Sequence, residues 1–236
     1  GTAKLVAANK VRVEAKDGTK TDYEAAHIIV ATGARPREFP TMKFDRTHVI
    51  SSKEAMSLAA QPKSLAIIGA GAIGIEFAYF YNALGTKVTV FEAKDTILPI
   101  EDKEISNVVA KAFKHKGIDL HTGVMVESAA KKGDGVEVVF KVGKDGKSQT
   151  LAADKCLLAV GVQGNVEDLG LEALGVVIEK NHIKVDSAYR TNVKGVYAIG
   201  DVIGPPWLAH VASAEAVKCV EGIKGLNPHP ARKSVA

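Results

Sequence analysis

The chain has 236 residues, 46% hydrophobic and 25% charged, with a net charge of +4 at pH 7. That is ordinary globular composition, enough for one large core or two small ones. Its lysines are scattered rather than clustered, which argues against a nucleic-acid face; no apolar run reaches the ~18 residues of a membrane span, and no stretch of these residues reads as a signal peptide.

In chain order, "VRVEA" and "TDYEA" flank Lys16-Asp17-Gly18-Thr19 and predict a hairpin turned by Asp-Gly. "HIIVATGA" is a near-continuous apolar run and predicts a buried strand. Pro36 and Pro40 mark a linker, and Ser51 with Glu54 predicts a capping box opening a short helix to about Ala60. A βαβ unit follows. "SLAIIGA" is its first strand, Gly71 to Leu84 its helix stopped by Gly85, and "KVTVFEA" its second strand. "EDKEISNVVAKAFKHKG" places Ile105, Val108, Val109, Ala112 and Phe113 on one helical face, ended by Gly117. "IDLHTG" predicts a third strand. "VMVESAAKK", "GVEVVFKVG" and "SQTLAADKCLLAV" predict a β meander, turned at Gly133-Asp134-Gly135 and Asp145-Gly146. A loop from Gly161 leads to another strand ending at Ala198-Ile199-Gly200-Asp201, then Pro205-Pro206 and a helix from Ala209 to Ile223. The first residues read as the middle of a meander, so the chain is expected to be a piece of a longer one.

The chemistry starts at "AIIGAGAIGIEF". Gly69, Gly71 and Gly74 stand in a G-x-G-x-x-G frame between a strand and a helix. The first glycine suits a tight turn, the second a close approach to a pyrophosphate, the third close helix–strand packing. The helix N-terminus then offers unpaired N–H groups and a positive dipole end to phosphates. A glycine turn without a ligand is the bland alternative. Strand, helix and a following acid weigh against it. That acid is Glu92, at the end of the second strand. There a carboxylate accepts both ribose hydroxyls and repels a 2′-phosphate. No arginine lies between Lys87 and Asp102, so NAD is expected rather than NADP, although Lys94 is close. Glu92 as a solvated strand-end acid is its alternative.

Glu76 lies in an otherwise apolar helical run and by spacing alone reads as solvated. Asp201 reads equally as a ligand to a hydroxyl or as a turn residue, and His210 as a lone surface histidine. The other histidines lack metal-ligand spacing. Cys156 and Cys219 form no C-x-x-C, and a reducing, cytoplasmic setting fits them. With no G-x-S-x-G elbow and no Walker lysine, hydrolase and NTPase readings are disfavoured.

Taken together, these segments resemble the two-dinucleotide flavoprotein disulfide reductases, and within them the dihydrolipoamide dehydrogenase branch. "HIIVATGARPRE", "IIGAGAIGIEFAYFYNALGTKVTVFEA", "LPIEDKEIS", "NVEDLGLEALGV", "RTNVKGVYAIGDV" and "LAH" carry the likeness, in the family's order. The resemblance implies an α/β fold: a Rossmann-like three-layer NAD-binding domain with a β meander, at residues 41–158. Partial FAD-domain segments would flank it at 1–40 and 159–225, and 226–236 would lead to a dimerisation domain. It implies that Gly69, Ala70, Gly71, Ala72, Ile73 and Gly74 line the NAD pyrophosphate, that Glu92 takes the adenosine ribose and that Glu76 sits near the nicotinamide ribose. Val126 and Gly161 would border the NAD cleft. Thr32, Gly33, Gly200, Asp201, Leu208, Ala209 and His210 would lie along FAD. The implied partners are NAD(H), dihydrolipoamide and a 2-oxoacid dehydrogenase complex, with no metal.

The departures are equally specific. The family's other G-x-G-x-x-G, for FAD and near the start, and its two redox cysteines separated by four residues do not occur here, so no catalytic residue is assigned and the chain alone is expected to be inactive. Val162 and Gly164 stand where the family has arginine and proline, and Trp207 where it has methionine. A fragment of another branch, such as an NADH oxidase or ferredoxin reductase, and a non-enzymatic NAD-binding module remain as rivals.

Overall fold

The computed structural model describes residues 1–143 and 146–226. Five strands open the chain: β1 (Thr2–Ala7), β2 (Lys10–Glu14), β3 (Lys20–Glu24), β4 (Ile28–Val30) and β5 (Ala34–Pro36). Then come β6 (Val49–Ile50), α1 (Ser52–Ala55), β7 (Ser64–Ile68), α2 (Ala72–Ala83), β8 (Lys87–Glu92), α3 (Lys103–His115) and β9 (Asp119–Thr122). They are followed by β10 (Val124–Lys132), β11 (Gly135–Val142), β12 (Ser148–Ala153), β13 (Lys155–Leu158), β14 (Val162–Gly164), β15 (Ile178–Glu179), β16 (His182–Ile183), β17 (Val196–Ala198) and α4 (Ala209–Ile223). The chain divides into two compact units, one of Pro36–Gly161, the other of Gly1–Arg35 with the chain from Val162 onward.

The Pro36–Gly161 unit is built on a five-stranded sheet in the order β6-β13-β7-β8-β9. Every neighbouring pair is parallel. Successive side chains of a strand point to opposite faces, and both faces are covered here, so the strands are apolar throughout. Ile50, Leu65, Ile67, Val88, Val90 and Leu157 pack with Ala55 of α1, Ile75, Ala78 and Tyr81 of α2 and Phe113 of α3. Val49, Ala66, Ile68, Phe91, Cys156 and Leu158 pack with Val124, Val126, Ala129, Val136, Val138 and Phe140 of the antiparallel β10-β11-β12 meander. Helices, parallel sheet and meander thus form the three layers of a Rossmann-like α/β fold.

The strand-rich segment from Ser148 to Val160 is two elements rather than one more meander strand. β12 closes the meander, and β13 enters the middle of the parallel sheet between β6 and β7. Asp154 makes the corner: its Oδ2 accepts from the N–H groups of Lys63 (2.7 Å) and Ser64 (3.1 Å).

The capping box at α1 is present. Ser51 Oγ accepts from the Lys53 N–H (3.2 Å), and Glu54 Oε2 accepts from the Ser51 N–H (2.9 Å). The helix ends at Ala55, short of the Ala60 expected, because the segment has only Ala55 and Leu58 to bury and Met56 is exposed. Replacing Ser51 by alanine is expected to lower stability by about 1 kcal/mol, read as a fall in the denaturant midpoint at unchanged slope.

Gly71 is the N-cap of α2, and beyond its C-cap Gly85 turns left-handed at φ +94°. The face α3 buries differs from the expected one. Ser106, Val109, Ala110 and Phe113 turn inward, while Ile105, Val108 and Ala112 are exposed. The two stripes differ by a rotation of one residue. The inner one is possible because the buried Ser106 hydroxyl finds carbonyls on Asp102 (3.1 Å) and Leu98 (3.2 Å).

In the other unit, β1-β2-β3 form an antiparallel meander whose β2–β3 turn is pinned by Asp17 Oδ1 accepting from the Thr19 N–H (2.9 Å). β4 pairs in parallel with β17, Val30 opposite Ala198. Val30, Val166, Leu171, Ile183, Val196 and Val202 make the core beneath. α4 spans the residues expected of it, yet only Cys219 is fully buried. Asp145 of the expected Asp145-Gly146 turn and residues 227–236 lie outside the described residues.

Candidate functional site

The glycine loop joins β7 to α2, and each glycine meets a different surrounding. Gly69 sits at φ +102°, where an L side chain is strained, and a Cβ on it would fall on the Ala159 carbonyl. A Cβ on Gly74 would fall on the Gly69 carbonyl oxygen and reach Ile67 Cγ2 at 3.3 Å. Gly71 has an ordinary φ of −73°, and around its missing Cβ nothing lies within 4 Å. The first glycine therefore makes the turn, the third lets the helix meet the strand end, and the second faces open space. No side chain caps Gly71, so the first-turn N–H groups of α2 and its positive dipole end face the same space. Ala72 and Ile73 are exposed there, and Ala70 is fully buried.

Glu92 ends β8 beside this loop. Its Oε2 accepts from the Ala70 N–H (2.8 Å) and its Oε1 from the Lys94 N–H (2.8 Å). Two backbone donors fix the carboxylate and leave each oxygen with acceptor capacity. Glu92 is thus more than a solvated strand-end acid: it anchors the glycine loop to the next strand and presents a fixed negative charge beside it. Gly69 N–H donates to the Phe91 carbonyl (2.8 Å), and Leu98 N–H to the Ala70 carbonyl (2.7 Å). Segment 91–98 holds the loop at three points.

Glu76 lies on the exposed side of α2, one turn after Ala72 and Ile73. Val126 is 9% exposed, in the layer between sheet and meander, next to a bulge that shifts the β10–β11 register between Val126 and Ser128. Gly161 is exposed at φ +100°, with open space around its missing Cβ.

The remaining predicted residues belong to the other unit. Thr32 and Gly33 are tied to the segment after β14: Thr32 Oγ1 donates to the Asn165 carbonyl (2.7 Å), Asn165 Nδ2 to the Thr32 carbonyl (2.8 Å), and Asn165 N–H to the Gly33 carbonyl (2.9 Å). Gly33 is left-handed (φ +71°) with nothing near its missing Cβ. Gly200 (φ +72°) donates its N–H to Glu215 Oε2 of α4 (2.7 Å), and Asp201 beside it is half-buried. Leu208, Ala209 and His210 are exposed at the start of α4. Asn165 and Glu215, which hold these segments, carry no sequence signal of their own.

Neither does Arg35, whose guanidinium bonds both oxygens of Glu167 (2.9 and 2.7 Å) and Asn165 Oδ1 (2.9 Å). The Arg35 hydrogen bonds hold Glu167 down to about 2. A carboxylate depressed in the folded state stabilises it above its ordinary value of 4.5 and loses that contribution as pH falls towards 2. Both side chains are near half-exposed, so solvent screening keeps the effect small. The melting midpoint of the parent is expected to drop more steeply between pH 4.5 and 2 than that of Glu167→Gln, and the gap to narrow in high salt.

Both cysteines are fully buried, and burial pushes each thiol up, away from the thiolate. Among the described residues no group of three His, Cys, Asp or Glu side chains is placed to hold a metal ion. No helix among them is long and apolar enough to cross a membrane.

A family model described as pyridine nucleotide-disulphide oxidoreductase matches residues 1–216. The dihydrolipoyl dehydrogenase of Rhizobium etli is 49% identical over 212 residues, covering 89% of this chain and 44% of that protein. That of Bacillus subtilis is 42% identical over 223 residues, covering 93% and 47%. The crystal structure of LpdA from Mycobacterium tuberculosis superposes with a TM-score of 0.89 at 31% identity, covering 98% of this chain and 51% of that one. The chain spans about half the length of the curated relatives it matches. With the family's model covering residues 1–216, the chain belongs to the pyridine nucleotide-disulphide oxidoreductase family.

Proposed function

We propose that this chain supplies the NAD-binding domain of a dihydrolipoyl dehydrogenase, with part of its FAD-binding domain. The observation that carries the reading is the open space at Gly71, under the free N-terminus of α2 and beside the anchored Glu92 carboxylate. A pyrophosphate fits where a Cβ is missing and N–H groups point. Glu92 receives the adenosine ribose hydroxyls and disfavours a 2′-phosphate, which selects NAD over NADP. Ala70, Ala72, Ile73, Val126 and Gly161 border the nucleotide, and Glu76 meets the nicotinamide ribose.

In the other unit Thr32, Gly33, Gly200 and Asp201 form one flank of an FAD site, and Leu208, Ala209 and His210 cover the flavin edge. The open, left-handed Gly33 fits close approach of a cofactor. FAD and NAD supply the electron chemistry when bound, and the protein supplies orientation and electrostatics. The electron donor of the whole enzyme is dihydrolipoamide, in a 2-oxoacid dehydrogenase complex in the cytoplasm. Since its two cysteines are buried and form no disulfide, this chain alone is expected not to oxidise dihydrolipoamide.

Calorimetric titration with NADH and NADPH tests the cofactor. NADH is expected to bind at least tenfold more tightly, a gap of about 1.4 kcal/mol. Tighter NADPH binding overturns the role of Glu92, and turnover of dihydrolipoamide by the purified chain overturns the inactivity.

A further inference from the structure

Leu98 is one of the non-glycine residues held in the left-handed region, at φ +47°. Most of those are surface turn residues such as Lys180 and Asn181. Leu98 is instead built into the dinucleotide site. Its N–H donates to the Ala70 carbonyl (2.7 Å), in the middle of the glycine loop. Its own carbonyl accepts from the Glu101 N–H (3.0 Å) and from the buried Ser106 hydroxyl (3.2 Å), which it shares with the Asp102 carbonyl. Ile97, 1% exposed, fastens the preceding residue into the helix-side core. On the far side of Ala70, Glu92 takes the N–H.

An L residue in this conformation is strained by roughly 1–2 kcal/mol, and such strain persists only where the surroundings over-determine it. Here Ile97, Glu101 and Ser106 supply that determination, and the bond to Ala70 is what the strained conformation makes. We propose that Leu98 is a positioning residue: its left-handed backbone clamps the Ala70 carbonyl and so presets the glycine loop for the pyrophosphate. The side chain is secondary and the backbone conformation is the functional element. The proposal rests on the dinucleotide reading of the loop.

Two substitutions separate backbone from side chain with opposite signs. Leu98→Gly removes the packing and keeps the left-handed conformation at no steric cost. Leu98→Val keeps an apolar side chain, but β-branching disfavours that conformation. The clamp predicts that, in the 236-residue chain, Leu98→Val weakens NADH binding about five- to tenfold. It predicts that Leu98→Gly keeps the parent affinity even where its melting temperature falls. The reverse order, with Val binding normally and Gly weakly, makes Leu98 a packing residue and overturns the proposal. Amide hydrogen exchange in the free chain reads the clamp without any ligand. Protection of the residue-98 amide, the one that donates to the Ala70 carbonyl, is expected to be lower in Leu98→Val than in Leu98→Gly, and equal or reversed protection overturns the clamp. Failure of the parent chain to bind NADH, with the exchange order as expected, instead overturns the dinucleotide reading and leaves the clamp as a device of the loop alone.

Discussion

Gly71→Ala is expected to fold as the parent does and to lose NADH. At φ −73° and ψ −177° alanine is unstrained, and nothing lies within 4 Å of the added methyl. Losing a favoured N-cap residue costs about 0.5–1 kcal/mol, and the smaller unfolded-state entropy of alanine offsets about 0.4–1 kcal/mol of it, so stability should move by less than about 1 kcal/mol. The methyl projects into the space where the pyrophosphate approaches the backbone, so affinity should fall at least tenfold, about 1.4 kcal/mol. Gly74→Ala gives the opposite pattern. Its methyl lands on the Gly69 carbonyl, a backbone group that cannot swing aside as a side chain can. Overpacking of this kind costs about 1–3 kcal/mol, occasionally more, and the midpoint falls along with binding. Thermal melts and NADH titrations on both variants decide the matter. A Gly71→Ala chain that binds NADH like the parent would show that the open space at Gly71 is not a nucleotide site.

The second large effect is expected at Glu92, which combines two tasks that two variants separate. Glu92→Gln keeps the shape and one acceptor oxygen for the Ala70 N–H, and removes the charge. Its NADH-over-NADPH preference should collapse by at least tenfold, about 1.4 kcal/mol, mostly through tighter NADPH. Glu92→Ala also leaves the N–H of fully buried Ala70 without its acceptor. An orphaned buried donor costs about 1–3 kcal/mol, so this variant should lose stability as well as selectivity. An unchanged preference in Glu92→Gln would remove the carboxylate from cofactor choice and leave it only the anchoring task.

The candidate site was legible where the proposed chemistry needs particular backbone. Gly69, Gly71 and Gly74 could be assigned separate tasks from spacing because glycine is the residue each task demands, and the structure gives each a matching environment. Ser51 with Glu54, and the stop at Gly85, were legible because caps are local. What needed tertiary information was missed. Strand composition announces β13 but not its place between β6 and β7, since partner choice is made by residues distant in sequence. The inward face of α3 was missed because a serine breaks its apolar stripe, and the carbonyls that satisfy Ser106 are visible only in three dimensions. Leu98 carries no mark at all: leucine is among the last residues expected at a left-handed position, and only the bond to Ala70 gives it meaning.

The pairing of β4 with β17 has a consequence for synthesis. β4 leaves the ribosome well before its partner, which follows roughly 165 residues later, about eight to thirty-three seconds at ~5–20 residues per second. The whole Pro36–Gly161 unit is translated within that interval, and its strands find their neighbours inside it. The nascent chain can therefore complete its middle while the apolar run Ile28–Val30 still lacks β17. Chaperone dependence and aggregation during expression should track the length of that wait more closely than the stability of the mature fold. Slowing translation after Gly161 should lower the soluble yield, whereas slowing it before Ile28 should not.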